Sequence, residues 1–572
     1  MSMAGPSDRV GAAAAPATDV PHLRGLAWIA LPVAVHLLIL QHFWFNTPVW
    51  DDYGVVGVVL RMLDAGSLRE WLALLVGQHN EHRVALARLV EWVWTKALGQ
   101  LDFRAMSLVG NLFLVGLLAF AWAQFRAQVA PIGFAAAAWL LFNWSYFEAA
   151  LVSMATLSNI GVILAAFACL HFALRDGWAS AVASVGTGIV AAFTQGNGLF
   201  ALPLAAMACA FMARRGRAVV MAVVAAALWL AYFHGYSRPP HLPSPLAALS
   251  RPVETAQLFL IVIGGLLPGR WSATLIGAAL LSALGWLLWR GLWRTHPAVA
   301  LWIAFILASA AAAAAARVGL GVFHASRYAI NASILAALVV LGYWALARPA
   351  GRRAQAIVVL AACASTLATA ENWSLASEAS FLARLLAKAV PATRDTVHDP
   401  YYGFRYPDTR YAREVLAWAE RSGMYTPPVV TVHPFAVTTL AEAPGEARAI
   451  GGFDEVTLDG KRILVRGWTD IDAREPGNVL SVLSPGARPT ALSAASWSRI
   501  DVAQAFRSER LLYSGFRLEV DFATADEAAR AFPGLCVFAR SPGQPMLVPD
   551  PPVSATRPPP ECGPKGPAKV PG

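Results

Sequence analysis

The sequence predicts a polytopic α-helical membrane protein of about eleven transmembrane helices, followed by a small β-sandwich domain. Composition is the first observation behind this prediction, because 57% of the 572 residues are hydrophobic and only 14% are charged. The second is the recurrence of apolar segments of about 20 residues, which is the length that crosses about 30 Å of hydrocarbon as a helix. The third is a change near residue 445, where long apolar segments give way to short alternating ones.

The predicted spans are the long apolar runs 25–45, 105–125, 129–143, 155–174, 177–193, 198–213, 217–236, 271–289, 297–316, 329–347 and 354–371. A shorter apolar stretch, 255–267, is predicted to lie at the membrane interface. Residues 1–22 lack the pattern of a cleaved signal peptide, so we expect a disordered cytoplasmic tail ahead of an uncleaved first span. Residues 23–371 form the predicted transmembrane domain.

The charges of the connecting loops predict the orientation of the chain. Alternate short loops carry the basic residues Arg126, Arg175, Arg214, Arg215, Arg217, Arg290, Arg294, Arg348, Arg352 and Arg353. Because short cytoplasmic loops are enriched in Lys and Arg, the N-terminus is predicted to be cytoplasmic and the C-terminal region to lie outside the cytoplasm. These loops also account for the net charge of +10, and the sequence has no nucleic-acid-binding motif.

The first outer loop, 46–104, is long and only partly polar. Its stretches 53–63, 68–76 and 84–98 are apolar with interspersed charges. This pattern is typical of amphipathic helices that lie on the membrane surface, where they would frame a cavity.

The chain beyond the last span is predicted to lie outside the cytoplasm. Residues 372–444 are predicted to form a helical and irregular linker, with helices at 376–390 and 408–421. Residues 445–540 show short strands between turn residues, which predicts a small β-sandwich, and 541–572 form a Pro-rich tail. A disulfide between Cys536 and Cys562 suits an oxidising compartment, but two cysteines do not establish a pattern, so the pairing stays open.

Two adjacent carboxylates, Asp51 and Asp52, directly follow the first span. One aspartate is explained as the N-cap of the helix that begins there. The N-cap position does not explain the second aspartate. Neighbouring like charges raise the pKa of one of the two carboxyl groups, which makes that group a better proton acceptor near neutral pH. The pair therefore predicts a general base, with the choice between the two residues left open.

The same loop contains His79, Asn80, Glu81, His82 and Arg83 in succession. One interpretation is a solvated turn before the 84–98 helix. The other is a binding segment, because a carboxylate flanked by imidazoles and followed by Arg suits phosphate or sugar hydroxyls. The segment lacks an HExxH pattern, so the metal ligands stay unknown and a divalent cation stays open.

Later spans bring further charges to the same predicted face. Glu148 follows the third span, and one interpretation is an interfacial Glu within an aromatic belt, without a role in function. Arg317, Arg327 and Tyr328 bracket the outer loop between spans nine and ten. Arginine is otherwise depleted on this side, so these cations suit an anionic ligand such as a phosphate.

The chain resembles the GT-C superfamily of membrane glycosyltransferases, which use polyprenyl-phosphate sugars. Those enzymes carry an Asp-containing motif in the first outer loop, followed by surface helices. The chain is also similar to a bacterial subgroup with an Asp-Asp pair, a His-Asn-Glu-His-Arg segment, an acidic residue after the third span and Ser-Arg-Tyr before a late span; residues 51–52, 79–83, 148 and 326–328 match. Glu148 lacks the Glu-Asn context usual there, and the resemblance covers about 25–371.

The resemblance implies a protein of the bacterial inner membrane. It also implies transfer of a sugar from a polyprenyl-phosphate donor to an envelope glycan or lipid acceptor, by an inverting single displacement. It implies these roles: Asp51 or Asp52 as the base; Arg327, with Arg317 or Arg83, as phosphate ligands; His79, Glu81 and His82 as ligands of the sugar or a divalent ion; and Glu148 and Tyr328 as further substrate contacts.

Two rival functions stay open at this point. A lipid or glycan transporter would place charges at the bilayer midplane and broken helices in matched halves. Here the charges lie at span ends, and no internal repeat is clear. A non-catalytic glycan-binding protein would instead concentrate its function in the β-domain.

Overall fold

The fold is mainly helical, as the sequence predicts. A computed structural model describes residues 20–239, 243–244, 246–319, 326–392, 409–426, 448–449, 451–469, 479–483, 489–493, 502, 515–532, 536–540 and 548–549. Most of the two predicted tails, 1–22 and 541–572, and of the linker 372–444 beyond residue 392 lies outside these residues.

The helices of the first half of the chain are α1 (Val20–Phe43), α2 (Asp52–Leu63), α3 (Leu68–Val76), α4 (Ala85–Leu98), α5 (Phe103–Phe125), α6 (Pro131–Leu141), α7 (Phe147–Leu151), α8 (Ser153–Ala155), α9 (Gly161–Ala173), α10 (Trp178–Thr194), α11 (Ala201–Phe211) and α12 (Arg215–Phe233). A π-helical turn at Thr156–Ile160 joins α8 to α9, and a 3₁₀ turn at Gly196–Phe200 leads into α11. The later helices are α13 (Ala247–Ser250), α14 (Pro252–Gly264), α15 (Arg270–Trp289), α16 (Leu292–Thr295), α17 (Pro297–Arg317), α18 (Ala329–Ala347), α19 (Gly351–Ala392) and the two short helices Thr409–Arg421 and Ala525–Ala531.

Among the described residues, eight helices are long and apolar enough to cross a membrane: Leu26–Phe43, Phe103–Phe125, Ser153–Ala173, Arg215–Phe233, Arg270–Trp289, Pro297–Arg317, Ser326–Ala347 and Gly351–Ser377. The predicted number of eleven is therefore not confirmed. Three predicted spans, 129–143, 177–193 and 198–213, correspond to shorter apolar helices. The first of them ends early because buried Asn143 turns its side chain back to the Leu140 carbonyl and to Ser333.

The last long helix, α19, is continuous where the sequence predicts a span at 354–371 and a separate helix at 376–390. Its 42 residues correspond to about 63 Å at about 1.5 Å per residue, twice the thickness of the hydrocarbon. Ser380 donates a hydrogen bond to the Phe43 carbonyl over 2.6 Å. This bond ties the extended part of α19 to the end of α1.

The first outer loop contains α2, α3 and α4, close to the predicted ranges. The expectation of a surface helix is wrong for α2, because ten of its twelve residues are buried. One face packs on α4 through Val55 and Val59. The other packs under the helix Thr409–Arg421, whose Val415 joins Tyr53 in one cluster, an arrangement that the loop sequence alone does not reveal.

Polar contacts at helix ends hold this region together. Arg88 on α4 donates to the carbonyls of Leu74 and Gly77 over 2.9 and 2.6 Å. Those carbonyls end α3 and have no partner within their own helix. The Tyr425 hydroxyl likewise donates to the Asn46 carbonyl over 2.6 Å, so the chain beyond residue 409 is fastened to the start of the loop.

The described strands of the C-terminal region form two three-stranded antiparallel sheets and one parallel pair. The strands of the C-terminal region are β3 (Arg448–Ala449), β4 (Gly451–Asp459), β5 (Arg462–Thr469), β6 (Val479–Leu483), β7 (Pro489–Ser493), β8 (Gly515–Asp521), β9 (Cys536–Arg540) and β10 (Val548–Pro549). Two earlier strands, β1 (Gln78–His79) and β2 (His82–Arg83), form a hairpin before α4. The sheet orders are β4-β5-β8 and β7-β6-β9. The β-sandwich stays a prediction, and Cys562 lies outside the described residues.

Replacement of Gly277 by Ala is expected to destabilise the protein by about 2 kcal/mol. A Cβ at this position in α15 would collide with the Leu260 carbonyl of α14, and Gly264 makes the reciprocal close approach. Gly285 lies on the same helix with open space around it, so Gly285→Ala is the matched control and should be neutral or stabilising. Thermal unfolding in detergent measures both, and equal melting temperatures would contradict the close helix pair.

Candidate functional site

Polar side chains from four separate segments meet at one end of the helical bundle. The segments are the start of α2, the β1–β2 hairpin, the α7–α8 region and the end of α17 with the 3₁₀ turn Ser326–Tyr328. This is the end that the sequence predicts to face outside. The candidate residues are therefore close in space although they are far apart in the chain.

The predicted binding segment folds as a tight β-hairpin. Gln78 pairs with Arg83 and His79 with His82, which leaves Asn80 and Glu81 as the turn. Asn80 has a φ of +48°, in the left-handed region that Asn tolerates better than most residues. Because residues directly opposite each other share a face of the ribbon, the two imidazoles lie side by side.

Arg83 anchors this hairpin to the end of α12. Its Nε donates to the Tyr232 carbonyl over 2.9 Å, and Nη2 donates to the His234 carbonyl over 3.0 Å. Nη1 donates to the carbonyl of Val76, and the residue is buried. Since the guanidinium is directed at backbone carbonyls, the geometry gives Arg83 a positioning role and does not support the expected contact with substrate.

Asp51 presents its carboxylate to the hairpin. It occupies the N-cap position of α2 but makes no side-chain cap; instead it accepts a hydrogen bond from Asn80 over 2.9 Å and lies 3.6 Å from His79 Nε2. Burial raises its pKa, but His79 and the charge of Arg327 outweigh burial, so the pKa lies below its ordinary value. The side chain is 36% exposed, so Asp51 is an accessible carboxylate that is ionised at neutral pH.

Asp52 turns the opposite way, into the protein. Its carboxylate accepts hydrogen bonds from the Ser153 hydroxyl over 2.7 Å and from the backbone amides of Met154 and Val49 over 2.9 and 3.1 Å. Burial raises the pKa of Asp52 to about 6, and the charge of Asp51 adds only a smaller contribution. The raised pKa expected of the pair therefore falls on the aspartate that lacks access to solvent.

The hairpin turn is joined to α17 by an ion pair. Arg317 donates to Glu81 through Nη2 and to the Tyr328 hydroxyl through Nε, the latter over 3.1 Å. Burial opposes ionisation of Glu81, but His82 and Arg317 bring its pKa to about 2. Burial lowers the pKa of His82 to about 4, so a neutral imidazole lies beside an ionised carboxylate at neutral pH.

Glu148 and the 3₁₀ turn hold each other through reciprocal bonds. The Glu148 amide donates to the Ser326 hydroxyl over 3.1 Å, and the Arg327 amide donates to the Glu148 carboxylate over 3.2 Å. A carboxylate at the start of a helix also suits the helix dipole. These bonds leave the Arg327 guanidinium over the Tyr328 ring, 5.5 Å from its centroid.

Among the described residues, no carboxylate lies within ion-pair distance of the Arg327 guanidinium. Its charge nevertheless lowers the pKa of Asp51, so the two groups lie near each other. A small pocket of about 10 Å³ lies beside Glu148, and its lining is otherwise Phe45, Val49, Trp50, Phe147, Leu151, Val152 and Ala379.

Metal binding stays an open expectation. In the part of the chain that the structure describes, no group of three or more His, Cys, Asp or Glu side chains is placed to hold a metal ion. In the cluster of His79, Glu81 and His82, Glu81 instead pairs with Arg317, and His79 Nε2 lies 3.6 Å from Asp51.

Sequence reasoning missed the residues that support the site from behind. Ser153 and Glu91 contact Asp52 or each other, and Arg88, Glu91 and Thr95 are all buried on α4. Their spacing of three and four residues was detectable, but such a polar stripe usually marks the solvent face of an amphipathic helix.

No family model and no curated protein matches the sequence. Among solved structures, the chain is similar to the crystal structure of ArnT from Cupriavidus metallidurans in the apo state, with 16% identity over 76% of this chain and 83% of that chain and a TM-score of 0.38. It is also similar to ArnT from the same organism bound to undecaprenyl phosphate, with 16% identity over 74% and 82% of the two chains and a TM-score of 0.36.

Proposed function

We propose that this protein is a membrane glycosyltransferase that moves a sugar from a polyprenyl-phosphate donor to an envelope glycan or lipid acceptor on the non-cytoplasmic face. The observation that carries the proposal is the placement of Asp51. Its accessible, ionised carboxylate lies near the Arg327 cation, and the preceding residue, Trp50, lines a small pocket with a mainly apolar lining. Base, phosphate ligand and lipid-compatible surface are the parts that this reaction needs.

The chemistry follows from the charges of these groups. A polyprenyl phosphate leaves as an anion, so the reaction needs a cation at the leaving group more than a general acid. Arg327 is the proposed cation, because Arg317 is paired with Glu81 and Arg83 with backbone carbonyls. Arg317 and Arg83 then position the site.

Asp51 is the proposed base. As the acceptor oxygen bonds to the anomeric carbon, the bond from that carbon to the phosphate oxygen breaks and its electron pair leaves with the phosphate. The hydroxyl proton passes to Asp51. Its lowered pKa suits a proton that is taken late, after bond formation has acidified the hydroxyl. A single displacement of this kind inverts the anomeric centre.

Full-length protein in liposomes, incubated with radiolabelled polyprenyl-phosphate sugars and envelope acceptors, tests the proposal. We expect transfer from at least one donor and a fall of about 100-fold in kcat/KM for Arg327→Gln, because a stabilising charge is lost from the transition state. The matched control is Arg352→Gln, which changes an exposed arginine in the first turn of α19. Transbilayer movement of the lipid without any sugar transfer would favour a transporter instead.

A further inference from the structure

Behind Asp51, three buried side chains form a short polar chain. The Ser153 hydroxyl lies 2.7 Å from Asp52 Oδ1 and 3.5 Å from Glu91 Oε1. Asp52 and Glu91 are fully buried. The second oxygen of Glu91, Oε2, has no hydrogen-bond partner among the described residues.

The hydrogens shared by Asp52, Ser153 and Glu91 can be assigned by counting. A serine hydroxyl has one hydrogen to donate, and the shorter distance directs it to Asp52. Asp52 also accepts from the amides of Val49 and Met154, as a carboxylate does. The Ser153 oxygen then offers Glu91 only lone pairs, so their contact is attractive only when Glu91 carries a hydrogen of its own.

The electrostatic surroundings favour the same assignment. Burial raises the pKa of Glu91 well above its ordinary value, and the charge of Asp52 raises it further, against smaller effects of Ser153 and Arg88. The other titratable groups on α4 and on the helices packed against it are Asp52, Tyr53 and Arg61 on α2, Arg69 and Glu70 on α3, and Arg88 and Lys96 on α4 itself. Helix α10 and the turn Thr156–Ile160 contribute none. Arg88 directs its guanidinium to the carbonyls that end α3.

We propose that Glu91 is a positioning residue that stays protonated at neutral pH, so that Asp52 alone carries the charge of the buried pair. Asp52 then binds the amides of Val49 and Met154, which belong to the segments that carry Asp51 and Glu148. The proton stays within the pair and does not pass to substrate. The inference rests on the proposed function in one respect, because its catalytic consequence is the placement of Asp51.

The test compares wild type, Glu91→Gln and the control Glu414→Gln, which changes an exposed carboxylate on the helix Thr409–Arg421. An unfolded Glu releases its proton near its ordinary pKa, whereas folded Glu91 retains it. The stability of wild type should therefore fall as the pH rises above that value, relative to Glu91→Gln. Thermal unfolding of the full-length protein across this pH range measures the difference, and Glu414→Gln should follow wild type.

Sugar transfer provides the second readout. At neutral pH we expect Glu91→Gln to transfer sugar within about threefold of wild type, since the amide also donates to Ser153. Wild type should lose activity on the alkaline side as Glu91 ionises, and Glu91→Gln should not.

Parallel melting curves for wild type and Glu91→Gln would overturn the proposal. So would a folded Glu91→Gln protein with more than about tenfold less transfer, because the proton would then take part in turnover. If wild type transfers no sugar at all, the proposed function fails, while the melting comparison still decides whether Glu91 holds a proton.

Discussion

Replacement of Asp51 by Asn is expected to lower sugar transfer by about 1,000-fold, the size of effect that follows loss of a general base. The amide cannot accept the hydroxyl proton, but it has the same shape and retains an oxygen for the hydrogen bond from Asn80. Asp51→Asn should therefore melt close to wild type. Transfer assays and thermal unfolding of the same preparation measure the two properties separately.

Asp64→Asn is the matched control, because it changes an exposed aspartate at the opposite end of α2. It should leave both transfer and melting unchanged. Full activity of Asp51→Asn would remove Asp51 as the base. Loss of transfer in a well-folded Asp52→Asn protein, with Asp51→Asn active, would assign the role to the buried aspartate.

Replacement of Arg317 by Gln is expected to destabilise the protein by about 2–3 kcal/mol, because it leaves Glu81 as a largely buried charge without its cation. Each side chain of this pair is only 17% exposed. The double variant Glu81→Gln with Arg317→Gln should recover at least half of that loss, since neither charge is then left alone. Chemical unfolding of the single and double variants measures the coupling.

The pH dependence of the same pair gives an independent check. His82 and Arg317 together lower the pKa of Glu81 to about 2 from an ordinary 4.5, so the stabilisation is fully present above pH 4.5 and is lost as the pH falls through about 2. Arg251→Gln is the control, because the Arg251–Glu254 pair is more exposed and should change stability by less than about 1 kcal/mol. Additive effects of the Glu81 and Arg317 substitutions would contradict a coupled pair.

Residue chemistry and loop charge predicted which side chains of the candidate site lie close together. Carboxylates and arginines at span ends on one predicted face indicated a common location, and the structure brings Asp51, Glu81, Glu148, Arg317 and Arg327 into neighbouring contacts. That step needed only the rule that charges avoid the hydrocarbon. Their roles in the reaction stay proposals.

The choice between Asp51 and Asp52 was beyond sequence reasoning. Successive side chains diverge, but which direction is buried depends on partners about a hundred residues away, such as Ser153 and Met154. The role of Arg83 was hidden for the same reason, because its acceptors are the carbonyls of Tyr232 and His234 at the end of α12.

The predicted number of spans is not confirmed, for a different reason. Hydropathy treats every apolar run as a crossing, but α6 ends at Leu141 where Asn143 and Ser145 bond to Ser333 of α18. Buried polar residues that find partners in neighbouring helices allow short helices at membrane depth. Such pairings depend on tertiary structure and leave no periodic signal in the sequence.

The helix Thr409–Arg421 has a consequence for how this protein can be divided. It covers the apolar face of α2 with Ala412, Val415 and Leu416, and the Tyr411 hydroxyl lies where a Cβ on Gly57 would be. A chain cut before Thr409 would expose that face directly behind Asp51. The membrane part and the helix Thr409–Arg421 are therefore one folding unit, and any exchange of the outer region between related proteins must place its junction after this helix.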